Sequence, residues 1–194
     1  VLRHELTLRN APLAPWGQIR GTIFMLHGHR GCKEDHLPIC ERFCAAGFRC
    51  LLIDIPGHGQ SPHPYATFGY RESEMISAIW KEYQDNHGLS NSPLFLFGYS
   101  QGGAISLLTA AKYPEKIRAI ASISAFSSLE NPIAASAKHL PPVIRHLTPL
   151  TTRACALGIY LRVGFFPSAV QPSRAAGMIH CPVFLSHGLD DSFV

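Results

Sequence analysis

Five short apolar runs punctuate the chain, most of them closing on glycine: Gly21–Gly28, Phe48–Gly57, Pro93–Gly98, Ile117–Ser124 and Cys181–Gly188. Each has the length and apolar continuity of a strand buried on both faces. Helix-length segments separate them, near Asp35–Ala46, Arg71–Asn86 and Gln101–Tyr113. In the last of these, Ile105, Leu107, Leu108 and Ala111 fall on the face of a helix packed against the preceding strand. Buried strands alternating with helices predict βαβ units, and so an α/β fold with a mostly parallel sheet covered on both faces.

Two stretches depart from this rhythm. The opening Leu2–Asn10 alternates apolar and polar positions and predicts an antiparallel edge strand. From Ser127 to about Gly177 there is no strand pattern but six prolines, Pro132, Pro141, Pro142, Pro149, Pro167 and Pro172, in a sequence that stays apolar. That segment reads either as a helical insertion packed on the sheet or as a lid over a site. The whole chain, 1–194, reads as one domain with a lid at 127–177.

Composition narrows the function classes. The 194 residues are 46% hydrophobic and 15% charged, which describes a globular chain with a sizeable core. A net charge of +4, with no basic stripe interleaved with aromatics, argues against a nucleic-acid partner. No apolar run approaches the roughly 20 residues of a membrane-spanning helix, so no transmembrane segment is expected. The six cysteines, Cys32, Cys40, Cys44, Cys50, Cys155 and Cys181, include no C-x-x-C pair. They read as free thiols, with no metal site, in a reducing and therefore cytoplasmic setting.

The chemistry centres on Gly98-Tyr99-Ser100-Gln101-Gly102, at the joint between a strand and a helix. A turn that tight forces glycine onto its flanks and pushes the serine out beyond the sheet. The N-terminus of the following helix then faces the reacting centre, where it stabilises developing negative charge. Upstream, His27-Gly28-x-x-Gly31 ends an earlier strand. Its loop is expected to turn the His29 amide toward the Gln101 amide, forming an oxyanion hole, while His27 braces the loop. Asp54 and His58 in the next strand-end loop read as structural.

Together with His187-Gly188-x-x-Asp191, these motifs resemble the alpha/beta-hydrolase superfamily in order and approximate spacing, from about Gly21 to Val194. The nearest resemblance is to the branch of serine esterases and monoglyceride lipases; the serine at position 100 sets the chain apart from relatives with an aspartate nucleophile. The resemblance implies an alpha/beta-hydrolase fold in which Ser100 attacks an acyl carbonyl and Asp191, with Asp190 as the fallback, orients the catalytic histidine. It implies a carboxylic ester or thioester substrate and no cofactor or metal. The apolar insertion with Phe126, Phe165 and Phe166 suggests a lipophilic acyl group.

In that family the histidine follows the acid, and none follows Asp191 here. The sequence therefore reads as C-terminally incomplete, with the last strand and helix missing, and the 194 residues alone are expected to be inactive. A non-catalytic binding or receptor protein on the same fold is the alternative.

Overall fold

A computed structural model of the chain describes residues 2–88, 92–136 and 148–191. Five strands form one parallel sheet: β1 (Thr22–Leu26), β2 (Arg49–Ile53), β3 (Leu94–Tyr99), β4 (Ile117–Ile123) and β5 (Val183–Ser186), in the spatial order β2-β1-β3-β4-β5. The predicted strand runs are all present, each trimmed to the residues that pair. β1 lies between β2 and β3, and all five of its residues are buried.

Helices cover both faces. Phe24, Leu26, Leu94 and Leu96 pack with Ile76 and Trp80 of α3 (Glu72–His87) and Ile105 of α4 (Gln101–Lys112). The Trp80 ring meets Phe24 edge to face at 5.8 Å. On the other face Phe97 meets Phe43 of α2 (Leu37–Ala45) at 5.7 Å, and His36 at 5.4 Å. A 3₁₀ turn, Lys33–His36, leads into α2.

The opening segment is a helix, α1 (Leu2–Leu8), and not the edge strand its alternation predicts. Leu2 and Leu6 are also one helical turn apart, so the same pattern satisfies a helix. Side-chain contacts fix the choice: Arg9 pairs with Glu5 at 3.0 Å, and Arg3 donates to the carbonyls of Ala14 and Ala45 at 2.7 Å each. The Arg3 guanidinium also lies 4.3 Å over the Trp16 ring. These bonds hold α1 beside α2 rather than at the edge of the sheet.

Among the described residues between β4 and β5 lie α5 (Glu130–Ser136), α6 (Thr148–Val163), a 3₁₀ turn at Pro167–Ala169 and α7 (Pro172–Ala176), the helical insertion expected. Residues 137–147, with Pro141 and Pro142, lie outside the described residues. A second apolar cluster joins this insertion to the body: Phe126, Leu129, Phe165 and Val170 pack on Ala104 of α4, with Phe68 and Ile159 against them.

The strand ends are what position a site. Leu26 is in register with Ile53 and Gly98, Tyr99 with Ile123, and Ile123 with Ser186. All five strands therefore finish nearly flush, and every motif-bearing loop leaves from the same edge. The chain turns one way from β1 to β2 and the other way to β3, so the β1 and β3 ends flank the switch point where open α/β sheets bind ligands.

Candidate active site

Ser100 sits between β3 and α4 with φ 51° and ψ −111°, a backbone conformation that side chains rarely adopt. Neighbouring glycines make the turn possible. A Cβ on Gly98 would run into the Gly102 backbone, and one on Gly102 into the Leu26 carbonyl. At Gly103 it would lie 2.7 Å from the Ser122 hydroxyl. So α4 presses its first turn directly onto β1 and β4. Ser100 donates its amide to the Ile123 carbonyl at 2.7 Å, and its carbonyl accepts from Ala104 at 3.0 Å. The amides of Gln101, Gly102 and Gly103 belong to the first turn of α4, which has no intrahelical carbonyl to bind.

The β1 loop lies against this turn. A Cβ on Gly28 would be 3.1 Å from the Tyr99 ring and 3.4 Å from Ser100 Cβ. His27, fully buried, fixes the loop: its Nδ1 bonds the Gly28 carbonyl at 2.8 Å, and its Nε2 accepts the Ile55 amide at 3.0 Å. The ring is therefore neutral with its proton on Nδ1. Burial pushes its pKa below the ordinary histidine value, more strongly than the Gly28 carbonyl raises it. Asp54 Oδ1 lies 3.9 Å from Nε2, but that nitrogen is occupied as an acceptor and forms no ion pair.

His29, next along, stands at the surface. Its ring lies 5.4 Å from His58 and 5.5 Å from Phe68. Desolvation, and then the nearby His58, lower its pKa; the Gln101 side chain is close enough to oppose that shift. Gln101 is itself buried, and neither its Oε1 nor its Nε2 completes a hydrogen bond among the described residues. Ser100, Gln101 and His29 are thus brought together. The rings of His27, His29 and His58 meet edge to face, and both His27 nitrogens are engaged, so these histidines do not aim at a common metal position.

Asp54 is tied down elsewhere. Burial would raise its carboxyl, but the Lys33 ammonium at 2.6 Å and the amides of Gln60 and Lys33 outweigh that and hold it at about 2. It links the β2 loop to the turn before α2. His58 Nδ1 bonds the Pro56 carbonyl at 3.0 Å.

Asp191 follows β5, two strands from β3 and hence about 10 Å across the sheet. Its amide donates to the Gly188 carbonyl at 3.2 Å, and its Oδ2 lies 3.4 Å from His187 Nε2. The pair is at the surface, with β5 exposed beside it: Phe184 and Leu185 are each 62% exposed.

Sequence reasoning missed Phe68 and what positions it. The buried Glu72 carboxylate accepts from the Thr67 amide and hydroxyl and from the Gly69 amide at 2.8 Å, gripping the loop on both sides of Phe68. Phe68 is held at φ 55° against His29. An acid in the first helical turn, just after a Thr-x-Gly loop, was the available signal. Phe68, His29 and His58 form one wall of a cavity of about 410 Å³; Leu129, Ile159 and Phe165 from the insertion form another.

Comparisons with known proteins give the family and the fold. The family description "alpha/beta hydrolase fold" matches residues 21–152. Among curated proteins, a caffeoylshikimate esterase of Arabidopsis thaliana is 32% identical over 96 residues, covering 47% of this chain and 29% of that protein. Lipase 3 of Moraxella sp. is 31% identical over 98 residues, covering 50% and 30%. The matched segment is thus under a third of each relative. Among solved structures, the Paleococcus ferrophilus monoacylglycerol lipase superposes with a TM-score of 0.60 at 26% identity, covering 90% of this chain and 76% of that one. A Pyrococcus furiosus esterase gives a TM-score of 0.61 at 20% identity, covering 86% and 60%. With its parallel sheet, flush strand ends and serine at the turn after the central strand, the chain belongs to the alpha/beta-hydrolase family.

Proposed function

We propose that this chain carries the nucleophile and the acid of a serine hydrolase that cleaves a carboxylic ester or thioester with a lipophilic acyl group. The observation that carries the reading is the strained Ser100 at the sheet's switch point, with Gly28 against it and Gln101 and His29 beside it. Strain of this kind persists only where the surroundings impose it, and here they expose a hydroxyl to the first turn of a helix.

Ser100 would attack the acyl carbonyl as a histidine base takes its proton. The amides of Gln101 and His29 would hold the resulting oxyanion, favoured by the positive end of α4. The protonated imidazole would then pass its proton to the leaving alcohol or thiol as the tetrahedral species collapses to an acyl-serine. Water would reverse the sequence and release the acid. Asp191 would orient that imidazole; among the described residues His187 lies beside it.

The cavity beside His29 supports the acyl preference, since Leu129, Ile133, Ile159 and Phe165 line it. Those residues all come from 127–177, which supports that segment as the lid. The esterase and lipase names of the relatives favour the same chemistry.

The test is labelling with a fluorophosphonate, which reacts only with an activated serine. A folded protein containing these residues and a histidine base should be labelled on the Ser100 peptide, and Ser100→Ala should abolish the label. Labelling at another residue, or none in a folded protein, would discard the catalytic reading in favour of a binding protein. Ester turnover by residues 1–194 alone, lost on changing His29, His58 or His187, would identify that histidine as the base.

A further inference from the structure

Far from the serine turn, three thiols converge. Cys40 and Cys44 lie one helical turn apart on α2, with their sulfurs 3.9 Å apart. Cys50 comes from β2, and all three Sγ atoms fall within 4.8 Å of one another. Cys50 is in register with Ile23, which is in register with Phe95, five residues before Ser100 on β3. The cluster is therefore separate from the hydrolase site both along the strands and across the sheet.

We propose that Cys40, Cys44 and Cys50 form a binding site for a single thiophilic d¹⁰ cation, such as Zn²⁺ or Cu⁺. The spacing fits three bonds to one centre. With metal–sulfur bonds of ~2.3 Å, a trigonal site needs sulfurs ~4.0 Å apart, so the cluster needs to close by under about 1 Å. A disulfide fits less well: it needs sulfurs at ~2.05 Å, a larger movement for two cysteines fixed on one helical turn, and it would leave the third thiol over. Packing alone accounts poorly for the arrangement, because Cys44 is exposed and Cys40 and Cys50 are only half-buried. That exposure gives the ion an entry path and leaves a coordination position for water.

Binding is a proton exchange. The three thiols lose their protons to buffer, three metal–sulfur bonds form, and water leaves the ion. Nothing is oxidised or reduced. An ordinary cysteine thiol is protonated at neutral pH, and each must lose its proton to bind the ion. Three protons are therefore released, and apparent affinity should weaken by up to roughly 1000-fold for each pH unit of acidification below the thiol range.

The test uses Cd²⁺ as the probe on reduced, metal-free protein under nitrogen. The expected result is one tightly held Cd²⁺ per chain after gel filtration, with ultraviolet thiolate-to-metal absorbance for three sulfurs. Zn²⁺ and Cu⁺ should each displace it. Cys44→Ser is the primary variant, since that side chain is exposed and its loss spares the core. It should weaken binding at least roughly tenfold, as should Cys40→Ser and Cys50→Ser, whose folding circular dichroism checks. Cys32→Ser and Cys155→Ser should leave binding unchanged. Cd²⁺ held equally well by the Cys44 variant, or not held by the reduced parent, would overturn the site. So would a Cys40–Cys44 disulfide forming in air in a protein that binds no metal once reduced. None of these readouts involves Ser100, so this proposal and the hydrolase reading fail separately.

Discussion

His27 Nε2 accepts the Ile55 amide across 3.0 Å inside the protein, tying the end of β1 to the loop after β2. The other ring nitrogen holds the Gly28 carbonyl, and Gly28 lies against Ser100. One neutral imidazole thus sets the height of the loop beside the serine. His27→Ala would leave a buried amide unpartnered and free the Gly28 carbonyl. A loss of about 2–3 kcal/mol is expected, read as a lower urea midpoint with unchanged slope.

The same histidine makes stability pH-dependent. Its folded pKa lies below the unfolded 6.5, so its contribution is complete above pH 6.5. As pH falls below that value the unfolded chain takes up a proton that the folded chain refuses. Stability should drop by up to about 1.4 kcal/mol per pH unit until the folded pKa is passed. His29 is shifted in the same direction and adds to the trend. In His27→Gln an amide oxygen can accept from Ile55 without titrating. Urea melts between pH 7.5 and 5 should therefore show a shallower decline; an unchanged slope would remove His27 as the cause.

Asp54 governs a lower window. Its carboxyl is held at about 2 against an ordinary 3.8, so it stabilises the fold above pH ~4, and that contribution is lost as pH falls toward 2. Asp54→Asn keeps one acceptor but leaves the Lys33 ammonium without its charge partner. A cost on the order of 1–2 kcal/mol is expected at pH 7. Parent and variant should converge only as pH reaches about 2 in the same melts, and a full-sized gap that persists there would point to packing instead.

Much of this architecture is legible in the chain because buried parallel strands carry unbroken apolar runs, and glycines mark where they stop. Gly98 and Gly102 stand out for a physical reason: a Cβ at either would run into backbone. What was missed depended on tertiary partners. Leu2 and Leu6 suit a strand and a helix alike, and tertiary contacts such as the Arg3 bonds to Ala14 and Ala45 decide between them. Cys40 and Cys44 show helical spacing in the sequence, but nothing there brings Cys50 alongside. Glu72 looks like an ordinary first-turn acid until it is seen closing the loop around Phe68.

If the cavity holds the acyl chain, filling it should change selectivity more than turnover. Ile159 projects into it from α6. In the active protein, Ile159→Trp should lower kcat/KM for long-chain esters by at least roughly tenfold relative to an acetate ester, the scale of losing a few methylene contacts. An ester-length series measures this. Equal loss at every length would assign the segment a structural role and remove it as the acyl pocket.

Ser100 should be less stable than the residue that would replace it most comfortably. Its φ of 51° with ψ −111° suits glycine, and strain of this kind costs about 1–3 kcal/mol. Glycine would relieve the strain but give back about 0.5–1 kcal/mol through the freer unfolded chain. Ser100→Gly should therefore stabilise the protein by on the order of 1 kcal/mol, or roughly 2–4 °C in Tm for a chain of this size. Ser100→Ala removes the same hydroxyl but keeps the Cβ, and should stay close to the parent. Thermal melts of the three proteins separate the effects, because only glycine changes the backbone term. Equal stability of the glycine and alanine variants would mean that the turn stores no strain. A stabilised glycine variant that fluorophosphonate no longer labels would show that the fold gives up stability to hold this hydroxyl where it reacts.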